Sequence, residues 1–307
     1  MSSSDRVTLF GRHNCVKLSN GNTDVIVATD VGPRILGYSL SGGTNMLGEA
    51  AGVSMESALG EWKAYGGHRL WAAPEVSPRT IAPDNDPVEV ITEGHLRVHL
   101  IQPIDKAGLR KEMSLELDPE GSVLTIWHRI KNCSVWDVEL APWSLTIMAG
   151  GGTAIVPQEP YKSHDDDVLP ARPLVLWSYT DLSDPRFTVG GKYIRLRSDP
   201  ALKEPQKFGV ANKRCWAGYL KGGTLFVKDF AHIEGETYPD FGCNNEVYTA
   251  GSFMELESLG PMVKAGPDHS VEHRERWWLF DGVNAGDSEE SLDTLLAPIL
   301  LKIPEIK

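Results

Sequence analysis

The chain is poor in helix signal. Across 307 residues, apolar residues hold helical spacing in one stretch, 288–301. There Leu292, Leu295, Leu296 and Ile299 recur on one face behind Ser288, a plausible N-cap with acids after it. Cysteine is scarce too. The four, Cys15, Cys133, Cys215 and Cys243, lie far apart, which argues against a Cys-x-x-Cys metal site or redox pair and suits free thiols in a reducing compartment. No apolar run approaches the roughly eighteen residues of a membrane span, and residues 1–6 lack the apolar stretch of a leader. The expectation is a soluble, cytoplasmic protein with no membrane partner. Cations are the minority: 30 Lys and Arg face 42 Asp and Glu, a net charge of −12. That argues against nucleic acid or an anionic membrane as main partner, although a local basic pocket stays open. Gly-x-Gly-x-x-Gly, the P-loop, Gly-x-Ser-x-Gly and His-Glu-x-x-His are all missing. Nucleotide cofactors, serine hydrolysis and zincin chemistry therefore lack support, and the expectation is no cofactor and no metal.

What is present reads as β-structure. Thirty Gly and twenty Pro suit a chain with many turns. Residues 25–28 and 34–40 read as neighbouring strands, and 45–62 as a Gly- and Ala-rich lead-in. Leu109, Lys111, Met113, Leu115 and Leu117 alternate with Arg110, Glu112, Ser114 and Glu116, the period of a strand with one wet face. Residues 136–148 read as two strands around Pro142. Residues 216–220 and 224–229 form a hairpin over Lys221-Gly222-Gly223. No internal repeat or linker interrupts the pattern. The expected fold class is all-β: a large antiparallel sandwich over 1–307, one domain, with few short helices and one near the C-terminus.

Residues 63–75 concentrate chemistry. His68, Arg69, Trp71 and Glu75 fall within eight residues behind Gly66-Gly67. In an extended chain His68 shares a face with Leu70, and Arg69 with Trp71. Donors beside a flat apolar platform suit a sugar ring. In a second place, Glu255 and Glu257 share one strand face, opposite Met254 and Leu256. Adjacent acids on one face are solvated, paired or used. A third stretch, 238–248, offers Tyr238, Asp240, Asn245 and Glu246 and reads either as a surface turn or as a polyol-binding loop. His164-Asp165-Asp166-Asp167 is a solvated acidic loop or a weak cation site.

Three of these segments, Gly-Gly-His-Arg-Leu-Trp-Ala-Ala-Pro-Glu, Leu169-Pro170 with Trp177-Ser-Tyr-Thr-Asp-Leu182, and Glu-Leu-Glu-Ser-Leu-Gly-Pro, resemble the galactose mutarotase-like superfamily. Within it they resemble an uncharacterised branch described as a domain of unknown function. The resemblance spans about 25–280. It implies a β-supersandwich with a sugar-sized cleft, in which a glutamate takes the anomeric hydroxyl proton and a histidine protonates the ring oxygen. Glu257, or Glu255 one register step away, fits the place of the glutamate; His68 fits the early histidine loosely. The mid-chain histidine of aldose 1-epimerases is replaced here by the segment Leu140-Ala141-Pro142-Trp143-Ser144.

The leading expectation is a cofactor-independent, carbohydrate-active enzyme of mutarotase or epimerase type. Glu257 serves as base and His68 as acid, Arg69 and Glu75 orient hydroxyls, and Trp71 or Trp143 stacks on the ring. The partner is a small carbohydrate, and a homodimer is compatible with the chain. One alternative is a carbohydrate-binding protein without turnover. Another is a lyase or hydrolase of acidic glycans, with Arg34, Arg69 or Lys213 holding a carboxylate.

Overall fold

The structure, a computed structural model, describes residues 6–286 and 288–303. Residues 1–5, part of the segment from which a missing leader was read, lie outside it. Two large antiparallel sheets face one another. The first runs Arg6–Leu9, Arg12–Ser19, Thr23–Val27, Ile35–Leu40, His68–Ala73, Val138–Met148, Phe253–Leu259, Asn245–Ala250, Gln206–Val210, Leu174–Leu176, with Val263–Ala265 beside the start of Val138–Met148. The second runs Phe187–Val189, Tyr193–Arg197, Thr153–Pro157, Trp216–Lys221, Thr224–Phe230, Ser270–Phe280, Leu124–Asn132, Leu109–Leu117, Arg97–Ile101, Glu89–Glu93. This is the all-β sandwich that the alternation predicts.

The main core lies between the sheets. Leu70, Ala72, Met254 and Leu256 of the first sheet meet Met113, Leu115, Ile126 and Trp277 of the second. Burying these side chains contributes roughly 1.5–3 kcal/mol apiece. The helix Glu289–Leu300 packs Leu292, Leu296 and Ile299 against Ile155, Trp216, Leu225 and Val227, on the far side of the second sheet. Ser288 caps it, its side chain accepting from the Ser291 amide, as the sequence predicts.

Two segments differ from expectation. Residues 45–62 include most of a hairpin, Glu49–Ser57 with Gly60–Gly66, which lies over the outer face of the first sheet. Residues 136–148 hold one strand, Val138–Met148, not two. Pro142 is tolerated because the neighbouring strand changes there. Leu259 pairs with Trp143 and Val263 with Leu140, and between them the Gly260 amide donates to the Pro142 carbonyl. The ladder therefore loses little where Pro lacks its N–H.

Candidate functional site

Strand parity decides the site. In His68–Ala73, Arg69 and Trp71 point out of the sandwich and His68 and Leu70 point into it. The strand is fixed by Gly66-Gly67, both at positive φ (110° and 70°); a Cβ on Gly67 would collide with the Ile35 carbonyl. In Phe253–Leu259, Glu255 and Glu257 point out while Met254, Leu256 and Ser258 point in. The middle strand aligns the two, pairing Leu145 with both Arg69 and Glu257. Arg69, Trp71, Trp143, Glu255 and Glu257 thus share the outer face of the first sheet.

The Arg69 guanidinium donates to Glu255 Oε1 at 2.8 Å and lies over the rings of Trp62 and Trp71, 5.0 and 4.5 Å from their centroids. Its Nε and Nη1 make no hydrogen bond. The indole of Trp143 donates to Glu257 Oε2 at 2.8 Å. Lys207, from the strand Gln206–Val210, reaches the same oxygen at 3.2 Å and Glu246 Oε2 at 2.7 Å, with its ammonium over Trp143 and Trp177. Glu246 and Glu257 are direct cross-strand partners and fully buried. Oε1 of each takes no hydrogen bond from the described residues. Buried polar atoms are normally satisfied; here four such atoms without a hydrogen-bond partner gather on one face.

Electrostatics follow from burial. Burial raises Glu246 well above the ordinary carboxylate range; Lys207 opposes this, while Glu257 and Asp240 add to it. Glu255 is raised by burial too, against the pull of Arg69. For Lys207 burial works against the charge, yet the attraction of Glu257 and Glu246 prevails and its pKa rises. It is a permanent cation here. Glu75 is exposed at the rim and raised by burial of its carboxyl, with Lys207, Glu257 and Asp240 close enough to act on it. Asp240 sits in the four-residue turn Pro239–Gly242, where Asp240 and Phe241 both take left-handed φ values of 50° and 60°. Tyr179 stands exposed beside the same charges.

Five sequence assignments are corrected. His68 faces inward, fully buried, and cannot serve opposite Glu257: its Nδ1 meets Thr146 at 2.9 Å and its Nε2 meets His128 at 2.7 Å. Arg34 is a structural residue, donating to the carbonyls of Ala64 and Gly66 and pairing with Asp84 at 2.6 Å. Asn245 faces the core and donates to the Glu257 carbonyl. The Tyr238 hydroxyl accepts from the Ile233 amide, and its ring stacks on His232. Lys213 lines a cavity of about 600 Å³ beside the C-terminal helix, with Tyr193, Trp216 and Asp293, away from the carboxylates. The sequence reading missed Lys207, Trp62 and Tyr248. The available signal was weak: a single lysine at the outer parity of a short strand, opposite Tyr248.

The inward face carries a second polar cluster. His68, His128 and Glu275 place possible metal-ligand atoms within 4.8 Å of one another. Two imidazole nitrogens on one zinc, each at about 2.0–2.1 Å in tetrahedral geometry, stand wider apart than a hydrogen bond, whereas these are 2.7 Å apart. Glu275 is already engaged by Lys228 at 2.7 Å, Ser144 and Ser258 at 2.6 Å and the Trp277 indole at 2.8 Å. The residues fit a closed hydrogen-bond network better than an ion. The loop His164-Asp165-Asp166-Asp167 is exposed, with Asp167 bound by Lys162 and Asp166 by Ser163.

No family model matches the chain, and no curated protein matches it, so the narrower branch gains no support. Solved structures do match. A mutarotase candidate from Salmonella typhimurium superposes with a TM-score of 0.58 at 10% identity, over 90% of this chain and 93% of that one. An aldose 1-epimerase candidate from Klebsiella pneumoniae gives 0.57 at 10% identity, over 96% and 85%. A galactose mutarotase-like protein from Lactobacillus casei gives 0.53 at 9%, over 87% and 100%. The fold of this chain is the galactose mutarotase-like fold.

Proposed function

We propose, from that fold, that the outer face of the first sheet binds a carbohydrate and moves protons on it, with a glutamate pair in place of a glutamate and a histidine. The observation that carries this reading is the Glu246–Lys207–Glu257 arrangement. The two carboxylates oppose one another, share one ammonium and each keep an oxygen unused. Bridged by one nitrogen, they are no farther apart than paired carboxylates of sugar-processing sites, which stand about 5–9.5 Å apart. Glu257, oriented by the Trp143 indole, accepts the proton of a sugar hydroxyl through Oε1. Glu246, whose pKa burial raises, donates a proton to the ring oxygen as the ring bond breaks. Lys207 balances the charge that passes between them. Arg69 offers two free donors to neighbouring hydroxyls, and the Trp62, Trp71 and Trp143 cluster supplies an apolar wall.

The test is anomer exchange of neutral aldoses followed by polarimetry. Glu257→Gln and Glu246→Gln are each expected to slow exchange by about 10²–10⁴-fold while sugar still quenches tryptophan fluorescence. Wild-type rates in Glu257→Gln would sink the mechanism. A binding protein without turnover is the second reading, favoured by the inward orientation of His68; it is supported if sugar quenches fluorescence and exchange is no faster than in buffer. The acidic-glycan reading loses its cations, because Arg34 is held by Asp84, Arg69 by Glu255, and Lys213 lies elsewhere.

A further inference from the structure

The charge of the outer-face site is one-sided. Glu75, Asp240, Glu246, Glu255 and Glu257 act on one another's charges there, against the cations Arg69 and Lys207. Both cations are committed, Arg69 to Glu255 and Lys207 to Glu246 and Glu257. They are also seated on the indoles of Trp62, Trp71, Trp143 and Trp177. The side chains of Glu75 and Asp240 make no ion pair with any described residue. The fully buried Oε1 atoms of Glu246 and Glu257 accept nothing.

We infer that the site is built for a polyhydroxylated ligand carrying a protonated amine, in chemical class an amino sugar, rather than for a neutral or an acidic sugar; this rests on the carbohydrate reading above. An ammonium brings three donors and one positive charge. That answers two orphan acceptors and an excess of carboxylate at once. A uronate or a phosphorylated sugar would have to enter among acids that outnumber the two cations, both already ion-paired, and buried like charges are strongly unfavourable. A neutral hydroxyl can fill the acceptors but leaves the charge excess as it was. The raised pKa of Glu246 belongs to the same picture: burial and the neighbouring Glu257 and Asp240 disfavour its charge, and an arriving cation would relieve that.

The experiment compares four probes near neutral pH by tryptophan fluorescence and calorimetry: glucose, glucosamine, N-acetylglucosamine and glucuronate. N-acetylglucosamine keeps the nitrogen and removes the charge. Glucosamine is expected to bind at least about tenfold more tightly than glucose or N-acetylglucosamine, with a proton released only in its case. Glucuronate is expected to bind most weakly. The preference should shrink with added salt and in the double variant Glu75→Gln, Asp240→Asn, whose side chains carry no structural bond. Equal affinity for glucose and glucosamine, or tighter binding of glucuronate, overturns the inference and leaves the carbohydrate reading standing. Failure of all four to bind overturns both.

Discussion

Gly209 shows how closely the site is fitted. It lies opposite Glu246 in the ladder, and a Cβ there would stand 2.6 Å from Cys243 Sγ and 3.3 Å from Glu246 Cγ. Gly209→Ala must therefore displace the Cys243 side chain and crowd Glu246 beside Lys207. We expect a loss of about 1–3 kcal/mol in urea unfolding and a larger proportional loss of proton transfer. Unchanged kinetics would show that Glu246 has another place to go. Lys207 is the second such residue. Its removal leaves Glu246 and Glu257 buried without a cation. Lys207→Met is expected to cost about 3–5 kcal/mol near neutral pH, and part of that cost should vanish as the pH falls, because protonated carboxyls are cheaper to bury. Urea midpoints at several pH values decide it; a midpoint equal to wild type shows that the acids are not paired through this nitrogen.

At the scale of elements, each strand is a device for sending alternate side chains to different tasks. His68, His128, His273 and Glu275 enter the inter-sheet network, with Lys228, Ser144, Ser258, Thr146 and Trp277 packed around them. Burial depresses His68 well below the usual imidazole range, depresses His128, and pushes His273 down to about 3. The unfolded chain takes up these protons near about pH 6.5 and the folded one does so only at lower pH. Stability is then complete above about 6.5 and is lost as the pH falls through that window. Glu246 and Glu255 work in the opposite sense: their raised pKa values mean that the folded state binds protons first and gains stability on acidification. In a Glu246→Gln protein, with the larger opposing group gone, the urea midpoint should fall between about pH 7 and 5. A flat or rising midpoint there shows that the imidazoles are charged when folded.

The whole molecule separates support from chemistry. The carboxylate site lies outside the first sheet, and the helix Glu289–Leu300 lies outside the second, with the main core between. Leu296 is fully buried against that far face. Leu296→Ala is expected to cost about 2–5 kcal/mol of unfolding free energy without changing the affinity for a sugar by more than about twofold. A large affinity change would mean that the two faces communicate through the core. The outlying cavity with Lys213 stands on the helix side, which is why a lysine that reads well as a carboxylate holder in the sequence has no part in the site.

Sequence alone determined the β class, many of the strands, the single terminal helix and its cap, and the two-sidedness of the strands that carry the candidates: Arg69 opposite His68 in direction, Glu255 and Glu257 together. These follow from residue periodicity and local turn chemistry, which a single segment carries. It also placed Trp143, Glu246 and Asp240 among the candidates, though not in their arrangement. Only the tertiary structure decided which faces coincide. Arg69 and Glu255 stand 186 positions apart in the chain, and strand period fixes a side chain's parity within its own strand but not which parity faces the same side in a strand paired by long-range register. That register sends His68 into the core and brings Lys207 between two glutamates.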